Sequence, residues 1–314
     1  MAQNASGVSQ NASGVWGKIC PICNWWGADH KLHSVEIVRY KNLKNVTVDL
    51  KRVNIFIGEP GVGSAILETF ALWQLFIARQ TLDDDLVLKV KNWGELNGTR
   101  VVYRDSDSPV ELKISDAGKY YMVQYGKSPV AFLPKDKLIV LWVNSDEELL
   151  RPRLAYYKFG EPTIELVNID YVVPPFGHNM DYLLKHNETL RNLAKNYGHK
   201  GNYEALPEPI RRFLFYFAIV ETNRGASIAI DDLTCLYQPL TKIVAEHIAD
   251  DTNNQYLIST YDEVALISLI EKTPADDLNV YVVKDGIRRA DPEKTLDLAC
   301  DVFFNLDIVI EGGG

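Results

Sequence analysis

The chain has 314 residues, of which 46% are hydrophobic, so it can bury a full core as one domain with an inserted lobe. Its net charge of −9 argues against a protein that coats nucleic acid. Nucleic acid stays a candidate partner, but the net charge does not indicate it. No apolar run approaches the roughly 20 residues of a membrane helix, and no secretion signal is recognisable. Four cysteines do not suggest a disulfide scaffold, so we expect a cytoplasmic protein without membrane contact.

Residues 1–33 form an N-terminal extension that we expect to be partly disordered. It opens with a direct repeat, residues 3–8 and 10–15, that is small and polar. A candidate zinc site follows, because closely spaced thiolates and imidazoles can complete a tetrahedron around the metal. Its residues are Cys20, Cys23, His30 and His33. Their spacing is shorter than in common zinc fingers, so cysteines packed against the neighbouring tryptophans remain the alternative.

Residues 34–85 are expected to form the first half of an α/β core. Three strands are predicted at Val35–Tyr40, Val46–Leu50 and Val53–Gly58, followed by a helix from Ala65 to Arg79. Residues 86–175 change in texture and predict a β-rich inserted lobe of short antiparallel strands. These strands are Thr99–Tyr103, Val110–Ile114, Tyr120–Tyr125, Leu138–Val143 and Thr163–Val167.

Residues 176–314 are expected to form the second half of the core. Their strands alternate with helices, which favours a largely parallel sheet. The predicted helices are Asp181–Tyr197, Ile210–Thr222, Leu240–Asp250 and Glu263–Glu271. The predicted strands are Ser227–Ile230, Gln255–Ser259 and a closing hairpin, Val280–Val283 with Ile287–Arg289.

A glycine loop joins the third strand to the first helix. A phosphate-binding loop consists of Gly, four residues, Gly, and then Lys followed by Ser or Thr. Gly58 and Gly63 keep this spacing, but Ser64 follows Gly63 directly and the lysine is missing. The alternative is that the glycines serve only the turn. If the loop binds nucleotide, the residues in contact are Gly58, Glu59, Pro60, Gly61, Val62, Gly63, Ser64 and Ala65.

An acidic pair, Asp231 and Asp232, ends the apolar strand of the second half. In such a position the first carboxylate can hold Mg²⁺ together with the Ser64 hydroxyl, and the second can polarise a water molecule. Asp232 is one methylene shorter than the glutamate usually found as the base. The alternative is an acidic strand end exposed to solvent.

These motifs together resemble the ABC-type AAA ATPases, the group of the SMC-like and overcoming-lysogenisation proteins. The segment 66–68 matches their Leu-Leu-Glu helix start, and 231–239 resembles their Asp-Glu-Pro-Glu-Ala-His-Leu-His-Pro run. The resemblance implies a P-loop NTPase core with a largely parallel sheet, an N-terminal antiparallel β lobe and a β-rich insertion. It also implies ATP and Mg²⁺ as ligands, with Asp232 at the position of the catalytic base and Tyr261 at that of the γ-phosphate-sensing histidine.

The chain departs from this family at the loop lysine, the base glutamate, the switch histidine and the signature Ser-Gly pair, whose place is taken by residues 206–212. We therefore expect a weak nucleotide binder or pseudo-ATPase that acts as a regulatory or interaction subunit, in a homodimer or with an ABC-type heteromeric partner. A cation from another strand could replace the lysine, and Arg39, Lys44, Lys51 and Arg52 lie nearby in sequence.

Two other functions stay open. One is an active Mg-dependent ATPase coupled to DNA repair, recombination or defence. The other is a nucleic-acid-binding module with a zinc-bearing N-terminus, for which the middle of the chain supplies basic residues. These are Arg151, Arg153, Lys185, Arg191, Lys195, Lys200, Arg211 and Arg212, and a solvated helix face is the simpler interpretation of them.

Overall fold

A computed structural model describes residues 31–58, 63–70, 72, 88–89, 98–104, 109–117, 120–125, 128–134, 139–140, 154–160, 170–174, 176–177, 179–284 and 286–297. The chain divides into two compact units, and these residues all belong to the second, Lys31–Gly314. The predictions for the N-terminal repeat and for Cys20, Cys23 and His30 lie outside the described residues. So does the predicted strand Thr163–Val167.

The described strands are numbered in chain order and build two six-stranded sheets and one two-stranded sheet. The strands are β1 Ser34–Tyr40, β2 Leu43–Asp49, β3 Val53–Gly58, β4 Leu88–Lys89, β5 Thr99–Arg104, β6 Pro109–Ala117, β7 Tyr120–Tyr125, β8 Ser128–Pro134, β9 Ile139–Val140, β10 Leu154–Lys158, β11 Ser227–Asp231, β12 Gln255–Ser259, β13 Leu278–Lys284 and β14 Gly286–Ala290.

One sheet is antiparallel, in the order β2-β1-β5-β6-β7-β8. The strands expected in the insertion therefore continue the sheet that the N-terminal hairpin begins, and β8 is an additional strand that the sequence patterns did not indicate. The separate pair β4 and β9 is also antiparallel. Of the predicted strand Leu138–Val143, only Ile139–Val140 is described as a strand.

The other sheet is largely parallel, in the order β10-β11-β12-β3-β13-β14, and only β14 runs antiparallel to its neighbour. All residues of β3, β11 and β12 are buried, which explains their continuous apolar sequences because both faces of a parallel sheet are covered. Strand β10 belongs to this sheet although it falls within the range expected to form the inserted lobe. The two large sheets adjoin where Asn279 Nδ2 donates to the carbonyl of Asp49 over 3.0 Å.

Helices cover the parallel sheet. They are α1 (residues 63–70), α2 Met180–His186, α3 Glu188–Asn196, α4 Glu208–Thr222, α5 Gln238–Asp250, α6 Glu263–Lys272 and α7 Pro292–Asp297. A single core joins side chains of β3 and β10–β13 to those of α2–α6. Among the described helices, none is both long enough and apolar enough to cross a membrane.

The single helix predicted over Asp181–Tyr197 is wrong, because two helices replace it. Asn187 between them has an extended backbone, with φ −87° and ψ 119°. Its side-chain oxygen accepts a hydrogen bond from the Leu190 N–H over 3.0 Å. Asparagine is a favoured N-cap residue because it satisfies a free N–H at the start of a helix, so it begins a new helix here.

Candidate functional site

Four parallel strands end at one edge of the sheet, and their last residues bear the functional groups. Gly58 ends β3, Ser259 ends β12, Asp231 ends β11 and Lys158 ends β10. Helix α1 is described from residue 63, five residues after the end of β3. Ligands of open α/β sheets bind at this carboxyl edge, because loops and helix N-termini converge there.

Asp231 is the centre of the arrangement, and its side chain is 1% exposed. Its Oδ1 accepts hydrogen bonds from Ser64 Oγ over 2.7 Å and from Ser259 Oγ over 2.8 Å. Its Oδ2 accepts from Tyr156 OH over 2.9 Å and from Lys158 Nζ over 2.6 Å. Ser64 and Asp231, predicted to act together, are thus in direct contact, and three further side chains share the carboxylate.

The charges of this cluster follow from the contacts. Burial alone would raise the pKa of Asp231, but the Lys158 ammonium and the hydrogen bonds from Ser64 and Ser259 lower it below its ordinary value. Burial opposes a charge on Lys158, yet the carboxylate of Asp231 holds the lysine pKa above its ordinary value. Burial and the same carboxylate raise the pKa of Tyr156. At neutral pH the cluster is an ion pair with three neutral hydroxyl donors.

Lys158 is a cation bound to Asp231 at this edge; it comes from another strand, β10, and is not one of the four basic residues named from the sequence. It lies directly opposite Asp231 in the pairing of β10 with β11. Lys51 and Arg52 precede β3 and therefore lie at the other end of that strand. There Lys51 Nζ donates to the Ala275 carbonyl, while Arg52 forms an ion pair with an aspartate.

The other two suggested cations lie in the antiparallel sheet. Lys44 faces Arg39 across the hairpin of β1 and β2, and the Arg39 guanidinium lies against Gly98. Tyr156 and Lys158 were missed because no strand was predicted over Leu154–Lys158. A five-residue strand with two tyrosines has little periodic signal.

Asp232 adopts a left-handed backbone conformation, with φ 62°. Two side chains hold it there: its N–H donates to Ser259 Oγ over 2.9 Å, and its carbonyl accepts from Tyr216 OH over 2.9 Å. Its carboxyl group is half-buried. Burial raises the pKa of Asp232; the guanidinium of Arg212 counters this in part, and the charge of Asp231 adds to it. A non-glycine residue held at positive φ beside a buried carboxylate is typical of a functional turn.

Arg211 and Arg212 come from the segment 206–212, which the sequence resemblance compared with a signature loop. Arg212 pairs with Glu208 over 2.9 Å and lies over the Phe159 ring, 4.6 Å from its centroid. Arg211 pairs with Glu204 over 3.2 Å. Both guanidinium groups are therefore engaged by carboxylates of their own segment, which reduces their availability to nucleic acid.

Tyr261 follows β12 in the loop that leads to α6, and it is half-buried. Residues beside it organise this loop. Thr260 Oγ1 donates to the Leu233 carbonyl over 2.8 Å, and Asp262 caps α6 by accepting from the N–H of Val264 over 3.0 Å. The loops after β11 and β12 are therefore linked to each other by a hydrogen bond.

The two glycines of the loop differ in what they require. A Cβ on Gly58 would stand 2.2 Å from the carbonyl oxygen of Val283, so the pairing of β3 with β13 demands glycine there. A Cβ on Gly63 would meet Ser259 Cβ at 3.4 Å, an ordinary contact. Ala65 is buried in α1. Between the glycines, the predicted contacts Glu59, Pro60, Gly61 and Val62 lie outside the described residues.

Magnesium does not fit this cluster without rearrangement. The ion requires oxygen ligands at about 2.0–2.1 Å in octahedral geometry. A carboxylate offers about four lone-pair positions, and four donors already occupy those of Asp231. The Ser64 hydroxyl donates its proton to the same carboxylate. A divalent cation on Oδ1 would have to displace Ser64 or Ser259, and one on Oδ2 would have to displace Tyr156 or the Lys158 ammonium.

The zinc prediction concerns a different part of the chain. His33 is exposed, its N–H donates to the Arg104 carbonyl and its own carbonyl accepts from Leu50 N–H, each over 2.7 Å. Within the described part of the chain, no group of three or more His, Cys, Asp or Glu residues has the geometry of a metal site. The other three candidate ligands lie outside that part, so the zinc site stays a prediction.

No protein-family model matches the chain, and no curated protein matches it either. Solved structures with a similar fold include the SMC head domain from Thermotoga maritima, 12% identical, with a TM-score of 0.42 over 83% of this chain and 99% of that one. Another is an SMC head bound to the C-terminal winged-helix domain of ScpA, 13% identical, with a TM-score of 0.42 over 84% of this chain and 99% of that one. Likenesses this distant assign neither an activity nor a partner.

Proposed function

We propose that this protein is a degenerate ABC-type AAA ATPase-like protein that binds nucleotide weakly, turns over little or none of it, and acts as a regulatory or interaction subunit. The observation that carries the proposal is the hydrogen bond of 2.7 Å from Ser64 Oγ to Asp231 Oδ1. It joins the first turn of the helix after the glycine loop to the carboxylate at the end of β11. These are the two groups that a nucleotide site of this class brings together.

A phosphate group would bind at the N-terminus of α1. The first N–H groups of a helix have no partner inside it, and the helix dipole favours an anion there. The Lys158 ammonium stands beside this terminus through the shared carboxylate, and its side chain is 46% exposed. The helix N-terminus and the Lys158 ammonium both attract phosphate, but together they attract it less strongly than a loop that carries its own lysine. Binding is therefore expected to be weak.

Low turnover follows from the groups around the acidic pair. Hydrolysis requires a base that reaches the attacking water and a cation that stabilises the developing charge. Asp232 has a short side chain on a backbone held by Ser259 and Tyr216. The alternative of an active Mg-dependent ATPase coupled to DNA repair, recombination or defence needs a metal on Asp231, where Lys158 is bound.

Exposed apolar side chains support a role in association. Among the described residues, the exposed large hydrophobic side chains are Leu236 at 58%, Tyr237 at 56% and Ile243 at 41%. All three follow the acidic pair closely in sequence, on the loop before α5 and on α5 itself. Exposed apolar groups concentrated in one segment are typical of a surface that binds another protein. A second copy of the chain or a related subunit is the proposed partner.

Calorimetric titration with ATP tests the proposal, using a variant that inserts Lys between Gly63 and Ser64 to restore the motif spacing. We expect the unaltered protein to bind ATP with a dissociation constant of about 1 mM, roughly −4 kcal/mol. The lysine insertion should tighten binding, whereas insertion of Ala at the same place should not. An absence of binding in both the unaltered protein and the lysine variant would refute the nucleotide site. Steady ATP turnover by the unaltered protein would refute the pseudo-ATPase assignment.

A further inference from the structure

We propose that the ammonium of Lys158 is the resident cation of this site: it takes the position of a divalent metal on Asp231, keeps the metal out, and gives a phosphate ligand a metal-independent partner. The phosphate part of this inference rests on the proposed function. The exclusion of metal does not, because it concerns only Asp231 and its neighbours.

The carboxylate of Asp231 has no hydrogen-bonding position left for a metal ion. Asp231 accepts four hydrogen bonds, two on each oxygen, and only the one from Lys158 carries a charge. A carboxylate that is 1% exposed needs a positive partner, since an uncompensated buried charge is strongly unfavourable. Lys158 provides that partner, and the remaining positions are filled by hydroxyl groups. Compensation is therefore complete without an ion from solution.

The pairing of β10 with β11 fixes Lys158 beside Asp231. Its Cα lies opposite that of Asp231 in the parallel pairing of β10 with β11, so strand geometry and not a mobile loop delivers the ammonium to the carboxylate. The contact is short, at 2.6 Å, as expected for a charge-assisted hydrogen bond. A divalent cation bound to the same carboxylate would stand next to the ammonium, and the two positive charges would repel each other.

Part of the Lys158 side chain is exposed to solvent. An ammonium group has three donors, and Asp231 uses one of them through its Oδ2. Nearly half of the side chain is exposed, while its partner is almost completely buried. The carboxylates of Glu68 and Asp232 also lie close enough to raise the pKa of Lys158, so an anion at the same edge of the sheet as α1 would share the exposed part of the lysine side chain with them. A nucleoside triphosphate, which carries several phosphate oxygens, is the class of ligand that these donors would recognise.

Binding of Mn²⁺ alone, followed by the paramagnetic resonance signal of the free ion, tests the exclusion of metal without nucleotide. We expect no Mn²⁺ on the unaltered protein that depends on Asp231. Lys158→Gln should bind one Mn²⁺ at least about tenfold more tightly than the unaltered protein does. This ion should be lost when Asp231→Asn is added. Lys158→Arg is the matched control: it keeps the positive charge and should bind no Mn²⁺.

Two results would overturn the exclusion. One is Mn²⁺ bound by the unaltered protein as tightly as by Lys158→Gln, which would mean that the lysine swings aside for the metal. The other is a folded Lys158→Gln variant that still binds none. If Lys158→Gln does not fold, the unaltered protein and Lys158→Arg decide: Mn²⁺ binding that Asp231→Asn abolishes in either overturns the inference, and its absence in both supports it.

Titration with ATP in the presence of EDTA, or of Mg²⁺, tests the phosphate part. The unaltered protein should bind ATP equally under both conditions, whereas Lys158→Gln should bind it at least about tenfold more weakly when the metal is removed. Binding by the unaltered protein that requires Mg²⁺ would overturn the inference. ATP that binds under neither condition counts against the proposed function, and the Mn²⁺ experiment still decides the role of Lys158.

Discussion

Ser259 serves two neighbouring residues with one hydroxyl group. Its Oγ donates to the Asp231 carboxylate over 2.8 Å and accepts from the Asp232 N–H over 2.9 Å. Among the described residues, Ser64 Oγ makes the first kind of contact and not the second, over 2.7 Å and from a half-buried position. The sequence patterns pointed to Ser64 because it lies in a motif, but Ser259 supports more of the turn.

We expect Ser259→Ala to lower the free energy of unfolding by about 1–3 kcal/mol, because it leaves a buried carboxylate short of a donor and a backbone N–H without an acceptor. Ser64→Ala, the matched control, should cost about 1 kcal/mol or less. Urea denaturation followed by circular dichroism measures both. Equal losses for the two variants would contradict the double role of Ser259.

Because folding raises the pKa of Asp232, the stability of the protein should depend on pH. A carboxyl group whose pKa is raised by folding binds its proton more tightly in the folded state. Stability is therefore lost as the pH rises from the ordinary value of 3.8 through the raised one. Asp232→Asn removes this titration, so we expect the variant to be more stable than the unaltered protein at neutral pH and equally stable near pH 3.

Thermal unfolding of both proteins at a series of pH values measures this difference. Asp231→Asn is the opposite control: its pKa is lowered by the Lys158 ammonium, so the charged form stabilises the fold above pH 3.8. That variant should lose stability at neutral pH. A gain for Asp232→Asn that persists unchanged at pH 3 would show that titration is not its cause.

Local patterns predicted part of the candidate site. Ser64 and Asp231 were found because each follows an apolar strand that ends in a recognisable motif. Lys158 and Tyr156 were not, because they reach Asp231 through a pairing of strands about 70 residues apart in sequence, and no local periodicity encodes which strand lies at the edge. A charged residue at the end of a short apolar strand was the only available signal.

At the scale of elements, the two glycines of the loop differ: the sheet requires Gly58 but does not require Gly63. Gly58 is in the pairing of β3 with β13, and any side chain there would overlap the Val283 carbonyl. Its presence follows from strand packing, whatever the loop binds. Gly63, at the first described turn of α1, has room for a methyl group.

We expect Gly58→Ala to destabilise the protein by about 3 kcal/mol or more, because the overlap forces two central strands apart. Gly63→Ala should change stability by no more than about 1 kcal/mol, since alanine favours the helix and its Cβ would make ordinary contacts with Ser259 and Phe56. Chemical denaturation separates the two. A mild effect at Gly58 would show that β3 and β13 shift apart easily, and would leave phosphate contact as the reason for that glycine.

Elements of the parallel sheet were predicted best because they are buried on both faces and appear as continuous apolar runs. Val53–Gly58 and Gln255–Ser259 have the predicted bounds. The break between α2 and α3 was missed because the apolar positions continue across Asn187, and only its capping bond distinguishes the two helices. Strands of the antiparallel sheet other than β8 were recognised individually, but their order depends on contacts between distant segments.

The whole molecule combines an antiparallel sheet and a largely parallel one, with the candidate site at the carboxyl edge of the latter. Leu236 and Tyr237 come four and five residues after Asp232, and both are more than half exposed. Leu236 also has a left-handed backbone, with φ 58°. That conformation is unfavourable for leucine, although the Leu236 N–H donates to Thr234 Oγ1 over 3.2 Å at this turn. The exposed side chains of Leu236 and Tyr237 are the surface that we propose for association.

We therefore expect the double variant Leu236→Asn with Tyr237→Ser to weaken self-association at least about tenfold, measured by light scattering over a range of protein concentrations. The monomer should not lose stability, because asparagine tolerates a left-handed backbone better than leucine. The matched control is Lys195→Asn with Asn196→Ser on the exposed end of α3, which should leave association unchanged. A protein that stays monomeric at every concentration, with and without ATP, would exclude a second copy as the partner and leave a different subunit. If association persists in the double variant, the contact lies elsewhere and the exposure of these two residues has another cause.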